Sequence, residues 1–195
     1  MASVEMKATR IMVRGITPLL MHNGQLADPL SPATQALSRA AKKKAKTDAD
    51  HLDVRRLEWY GSLYLDDDGH PIVPSEMMEA AIVEGARRMR KGREAVRGIV
   101  LDGHARLIYK GPKTADGLWA AGKKFVKTAG VKVQRNRVIR TRPMFTEWAA
   151  EFVVMWDDSE IQSDADLAEI LAYAGRSGIG DWRPKFGRFE VEVLS

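Results

Sequence analysis

The sequence predicts an α+β fold: a ferredoxin-like core in the order strand, helix, strand, strand, helix, strand. Three observations carry this expectation. Two segments have helical apolar periodicity, several short runs alternate in polarity as strands do, and two further stretches fit neither pattern. The 195 residues are enough for one domain, 1–195, with insertions at 24–57 and 110–137.

The first strand is ATRIMVRG, residues 8–15, with Ile11 and Val13 on one side and Arg10, Met12 and Arg14 on the other. Gly15 ends it, and ITPLLMHNG follows as an apolar, turn-like segment. Residues 24–57 are rich in Ala, Pro, Ser, Asp and Lys. They read as an insertion, partly helical, with the composition of a mobile segment. EWYGSLYLDDDGHPIVP then reads as a hairpin with Asp68-Gly69 at its turn.

The first core helix starts at Pro74-Ser75, where Ser75 is the expected cap. Met78, Ala81, Ile82, Gly85 and Met89 fall on one face. The helix ends in RRMRKGR, cations placed at the negative end of its dipole. RGIVLDGHARLIY offers two short strands. KGPKTADGLWAAGKKFVKTAGVKVQRN has four glycines and no long apolar period, and reads as a projecting loop or hairpin. RVIRTRPMF and TEWAAEFVVMWD are strands, the second with Trp148, Ala150, Phe152, Val154 and Trp156 on one face. SDADLAEILAYAG is the second core helix, with Ser163 and Asp166 at its start and Gly175 expected to end it. In the last strand, RFEVEVL, Phe189, Val191 and Val193 are expected to point inward.

Charge narrows the partner. The net charge is +5 overall, but 87–142 carries 17 Lys/Arg against 3 Asp/Glu, a net +14 between flanks of −2 and −7. Such asymmetry points to a polyanion. The plainer reading is a solvated basic surface paired with acidic neighbours, copies of the same chain included. The chain has no cysteine, which excludes disulfides and thiolate metal sites and makes a reducing cytoplasm the expected home. No apolar run is long enough to span a membrane, and the first residues lack a signal core.

Between Ala174 and Phe189 lie four glycines and four cations. Glycine lets backbone N–H groups approach phosphate oxygens, arginine grips phosphate bidentately and lysine adds a point charge. Arg176, Gly178, Gly180, Arg183 and Lys185 are therefore candidate nucleic-acid contacts. Trp182 is a candidate stacking surface as well as a candidate hydrophobic plug, and Phe186 reads as a plug. From the basic block, Lys123, Lys124, Lys127, Arg135, Arg137 and Arg140 join the candidates. A dinucleotide fingerprint in GIGDWRPKFG fails, because no helix follows it directly.

The glycine-rich loop GRSGIGDWRPKFGRFEV, with GITPLLMHNG after the first strand and PIVPSEMMEAAIVEGARR at the first core helix, resembles the RAMP superfamily of CRISPR-associated RNA-binding proteins. Within it, the likeness is to the backbone subunits that coat guide RNA. The resemblance implies an RRM-like body and a thumb-like insertion at 110–137. It also implies non-catalytic, sequence-independent binding of RNA or single-stranded DNA, with copies assembled head to tail as a filament. The chain is short for such a subunit, so a stand-alone or phage-borne relative also fits.

Other chemistry is thinly represented. His22, His51, His70 and His104 show no metal-ligand spacing, and neither metal nor cofactor is expected. Asp66, Asp67 and Asp68 read as turn residues rather than a cation site. His22, at the head of MHNG, is the weak catalytic candidate, as general base in a metal-independent endoribonuclease processing guide RNA. A protein-only structural scaffold is the remaining class. The expectation leans away from an enzyme.

Overall fold

A computed structural model describes residues 6–134 and 136–194. In chain order the elements are β1 (Met6–Gly15), β2 (Leu19–Leu20), α1 (Pro32–Ala41), α2 (Asp48–Ser62), β3 (Ile72–Val73), α3 (Ser75–Arg88), α4 (Gly92–Gly98) and β4 (Ile99–Leu101). They continue with β5 (Ala105–Arg106), α5 (Ala115–Ala120), β6 (Val126–Val133), β7 (Asn136–Phe145), β8 (Ala149–Asp157), α6 (Asp164–Ser177) and β9 (Phe189–Leu194). The fold is mixed α/β with antiparallel sheets. The chain divides into two compact units: Met1–Leu19, Ile72–Lys110 and Thr146–Ser195 form the first, and Leu20–Pro71 with Gly111–Phe145 the second.

The first unit is built on a four-stranded sheet of order β4-β8-β1-β9, every neighbouring pair antiparallel. Alternation sets its faces: Ile11 lies opposite Phe152 and Val13 opposite Ala150, and all four are buried. Trp148, Val154 and Trp156 share that inward face. Trp156 is fully buried yet keeps its polar group satisfied, donating from Nε1 to the Thr9 hydroxyl at 3.0 Å. Met78, Ala81 and Ile82 of α3 and Leu167, Ile170 and Leu171 of α6 complete the core. Each such aliphatic side chain contributes roughly 1.5–3 kcal/mol when fully buried. The two helices cross closely at Gly85, where a Cβ would lie 2.5 Å from the Ala174 nitrogen and the Ile170 carbonyl oxygen.

The second unit pairs β6 with β7 as a hairpin, from Val126 opposite Pro143 to Val133 opposite Asn136. Trp59 of α2 is fully buried and donates its Nε1 hydrogen to the Phe125 carbonyl at 3.0 Å. Beside it, buried Glu58 accepts from Arg142 at 2.8 Å, from Arg140 at 3.2 Å and from the Thr141 backbone at 2.9 Å. At the start of α2, Thr47 and Asp50 form a capping box. A hydrogen bond from Lys43 holds the Asp50 carboxyl well below the usual carboxylate range.

Several local expectations need correction. Ser75 does not cap α3: it is the first residue inside the helix, after Pro74, and its N–H donates to His104 Nδ1 at 3.0 Å. Gly175 does not end α6, which continues to Ser177 and closes on Gly178 with φ +76°. Gly175 is needed for contact instead, since a Cβ there would sit 2.2 Å from the Phe189 carbonyl oxygen. Residues 58–62 belong to α2 rather than to a hairpin strand, because burying Trp59 continues the helix. The turn at Asp68-Gly69 is kept, with a Leu65–Pro71 bridge and an Asp66 N–H bond to the His70 carbonyl at 2.9 Å. Val193 is 56% exposed, near the end of an edge strand. The 24–57 segment holds α1 and most of α2, and the 110–125 stretch holds α5.

Candidate nucleic-acid interface

The glycine-rich loop is anchored to the segment that follows β1. Gly187 N–H donates to the Pro18 carbonyl at 2.8 Å, and Arg188 N–H to the Thr17 hydroxyl at 2.9 Å. The Arg188 carbonyl in turn accepts from Ile16 at 2.8 Å, so Arg188 belongs to the approach to β9. Inside the loop, Ile179 N–H donates to the Gly187 carbonyl at 2.9 Å, and Ile179 is fully buried. Gly187, at φ +73°, admits no Cβ, which would fall 1.7 Å from the Ile179 oxygen. The glycines at 178 and 187 thus close the loop on its own backbone. Gly180, also left-handed at φ +79°, lies farther along, where the loop meets solvent.

There the loop faces the last turn of α3. Arg87 and Arg88 on one side, with Gly180, Trp182 and Arg183 on the other, line a groove of about 660 Å³. Trp182 is half-buried, with φ +55° and its ring edge-on to Phe186 at 5.9 Å. The Arg183 guanidinium reaches the Gly178 carbonyl at 3.4 Å. Lys185 is exposed, its ammonium 5.8 Å from the Phe186 ring. Arg176 is exposed over Tyr173, at 5.1 Å. Glu84 and Asp181 also line the groove, and Glu84 pairs with Arg87 at 3.2 Å. With three guanidiniums against two carboxylates, the groove is only mildly positive.

Arg87 and Arg88 were not among the sequence candidates, since cations in a helix's last turn already have an electrostatic reason to be there. The signal was the run RRMR, more cations than one helix end uses.

The candidates from the basic block fall in the second unit. Lys123, Lys124 and Arg137 are exposed and Lys127 half-buried. Arg140 bonds Glu58, so part of its charge is used internally. Arg135 lies outside the described residues. The block is also thinned by pairing in the first unit, where Lys91 meets Asp166 at 2.8 Å and Arg97 meets Glu160 at 2.8 Å.

His22 is exposed, and its carbonyl accepts from the Tyr64 hydroxyl at 3.1 Å. Asp66 accepts from the Asp68 and His70 backbones at 3.0 and 2.9 Å, which closes the turn. One ligand atom each of Asp66, Asp68 and His70 lies within 4.8 Å of the others. Among the described residues no helix is long and apolar enough to cross a membrane.

The outward face of the four-stranded sheet is different. Arg10, Met12 and Arg14 of β1 and Glu151, Val153 and Met155 of β8 include no aromatic ring on which a base could stack. Arg10 bonds Glu151 at 3.1 Å and Arg14 bonds Glu192 at 3.2 Å.

No family model matches the chain, and no curated protein does. Among solved structures, it is similar to a chain in the cryo-EM structure of the type III-B Cmr-beta bound to cognate target RNA. The TM-score is 0.53 at 12% identity, over 97% of this chain and 61% of that one. The likeness is one of fold. This chain thus spans about three-fifths of the similar chain's length.

Proposed function

We propose that this chain is a RAMP-like protein that binds single-stranded RNA without cleaving it and without reading its bases. One observation carries the reading. All three stretches that resemble the RAMP superfamily reach into the first unit, the second through Gly15–Leu19 and the third from Ile72 on: the loop is bonded to Thr17 and Pro18, and it faces the end of α3 across a mildly positive groove. Two further points support it. The sheet order β4-β8-β1-β9, with α3 and α6 as its helices, supports reading the first unit as a ferredoxin-like, RRM-like core. The structure with a similar chain is an RNA-bound complex.

On this reading the strand passes through the groove, phosphates on Arg88, Arg183 and Lys185 and a base against Trp182. Arginine and lysine hold phosphate oxygens whatever the base, so affinity comes from the backbone. The segments 24–57 and 110–137 act as insertions on the core, the second as a thumb carrying Lys123, Lys124, Lys127 and Arg137. Copies assemble head to tail along the strand, the acidic end of one against the basic middle of the next.

Fluorescence anisotropy with homopolymeric RNA, titrated with salt, tests the binding. Each phosphate neutralised in a single strand releases roughly 0.7 of a counterion, so affinity should fall steeply with salt and little with base identity. A nearly flat salt dependence, or affinity that follows base sequence, would refute it.

A further inference from the structure

Arg87 lines a second groove, at the connection that follows α3. This groove, of about 720 Å³, is formed by the α3–α4 connection and lined by Arg87, Arg90, Arg93, Glu94 and Arg97 among others. Its volume falls within the roughly 300–1,000 Å³ range of ligand pockets. Three features of it bear on a ligand.

Charge is the first. Four guanidiniums face one carboxylate, a stronger excess than in the loop groove. Arg87 and Arg97 are steadied by Glu84 and Glu160, but Arg90 and Arg93 make no ion pair among the described residues. Backbone is the second. Arg90 sits at φ +61°, in the left-handed region that a non-glycine residue enters at a cost. That geometry closes α3, with the Arg90 N–H bonded to the Arg87 carbonyl at 3.1 Å and the Lys91 N–H to the Ala86 carbonyl at 2.9 Å, and it sets an arginine where glycine would serve. The third is Glu94, the one carboxylate among the lining residues, which makes no hydrogen bond among the described residues. A carboxylate with open acceptor capacity at a groove wall can take a donor from a ligand.

A ligand suited to all three presents anionic oxygens to two arginines and a hydroxyl donor to a carboxylate. A ribonucleotide strand does so, and a deoxyribonucleotide strand lacks the sugar hydroxyl. We infer that the α3–α4 groove is a second strand-binding subsite, in which Arg90 and Arg93 hold backbone phosphates and Glu94 accepts a hydrogen bond from a ribose 2′-hydroxyl. Arg87, which lines both grooves, joins this subsite to the loop groove. The inference rests on the strand-binding reading above and adds to it a path and a means of choosing RNA over DNA.

The test uses the full chain with a uridine homopolymer and its deoxyuridine counterpart. Arg90→Gly with Arg93→Ala removes both cations and relieves the Arg90 backbone, so the variant should melt at or above the wild-type temperature. It should bind the RNA roughly tenfold more weakly, with the salt slope reduced by about 1.4 for two lost phosphates. Wild type should prefer the RNA by roughly fivefold, and Glu94→Ala should bind both strands alike. Glu94→Gln, of the same shape, serves as the second variant and should lose part of that preference. If Arg90→Gly/Arg93→Ala binds like wild type while Arg183→Ala/Lys185→Ala is weakened, the subsite is wrong and the loop groove stands. If the loop variant also binds like wild type, the strand-binding reading itself fails. A preference for RNA that survives Glu94→Ala removes Glu94 from the assignment.

Discussion

The outer face of the four-stranded sheet and the grooves at the end of α3 both carry arginines, and they use them in opposite ways. On that face each cation meets a carboxylate on a neighbouring strand: Arg10 with Glu151 and Arg14 with Glu192. These pairs leave little field for a polyanion and offer it no ring to stack on. Arg88, Arg90 and Arg93 at the grooves, and Lys185 in the loop beside them, have no ion-pair partner among the described residues. A count of cations therefore misjudges where this protein is positive, since partners decide it. The second unit supplies the extreme of pairing, with Arg142 and Glu58 each only 5% exposed.

The largest expected effect comes from breaking that buried pair. Glu58→Ala takes from Arg142 and Arg140 the carboxylate they share and leaves the Thr141 N–H without its acceptor, and should destabilise the second unit by about 3–5 kcal/mol. Urea unfolding measures it. A loss below about 1 kcal/mol would mean that water reaches Arg142 and that the pair is not structural.

A middling effect on binding, with none on stability, is expected at the loop groove. Arg183→Ala with Lys185→Ala should melt like wild type, because exposed charges contribute little to stability. It should bind single-stranded RNA roughly tenfold more weakly, through lost charge-assisted bonds to phosphate. Thermal melts beside binding curves separate the two. Unchanged affinity would make the loop only a turn.

The smallest effect belongs to the sheet. Arg10→Ala with Arg14→Ala removes as many charges as the loop variant, yet should leave RNA affinity within about twofold, because those charges are already neutralised. A loss equal to that of the loop variant would erase the contrast between the two regions and return the binding surface to the sheet.

Much of the fold was legible because its signals are local. Alternation in ATRIMVRG and in TEWAAEFVVMWD marked β1 and β8 with their buried faces, and the spacing of Met78, Ala81 and Ile82 marked the inner side of α3. Ser163 caps α6 as its sequence suggested, accepting from the Asp166 N–H. The site was legible in part. The loop's glycines and cations stood out, whereas Arg87, Arg90 and Arg93 were hidden behind the ordinary reason for cations at a helix end.

The sequence by itself determined β1, β8 and β9, the helices α3 and α6, the basic middle of the chain and the unusual loop before β9, since periodicity and composition reside in neighbouring residues, but not α4, whose residues read as the end of α3. Tertiary structure alone decided which glycine does what. Gly175 stays helical because Phe189 presses on it, while Gly178 and Gly187 turn the loop onto itself. It also carried α2 through Trp59 to Ser62 and divided the basic block between two units. Above all it chose which cations are neutralised, because an ion pair such as Arg10 with Glu151 joins residues far apart in sequence and exists only once the strands are in register.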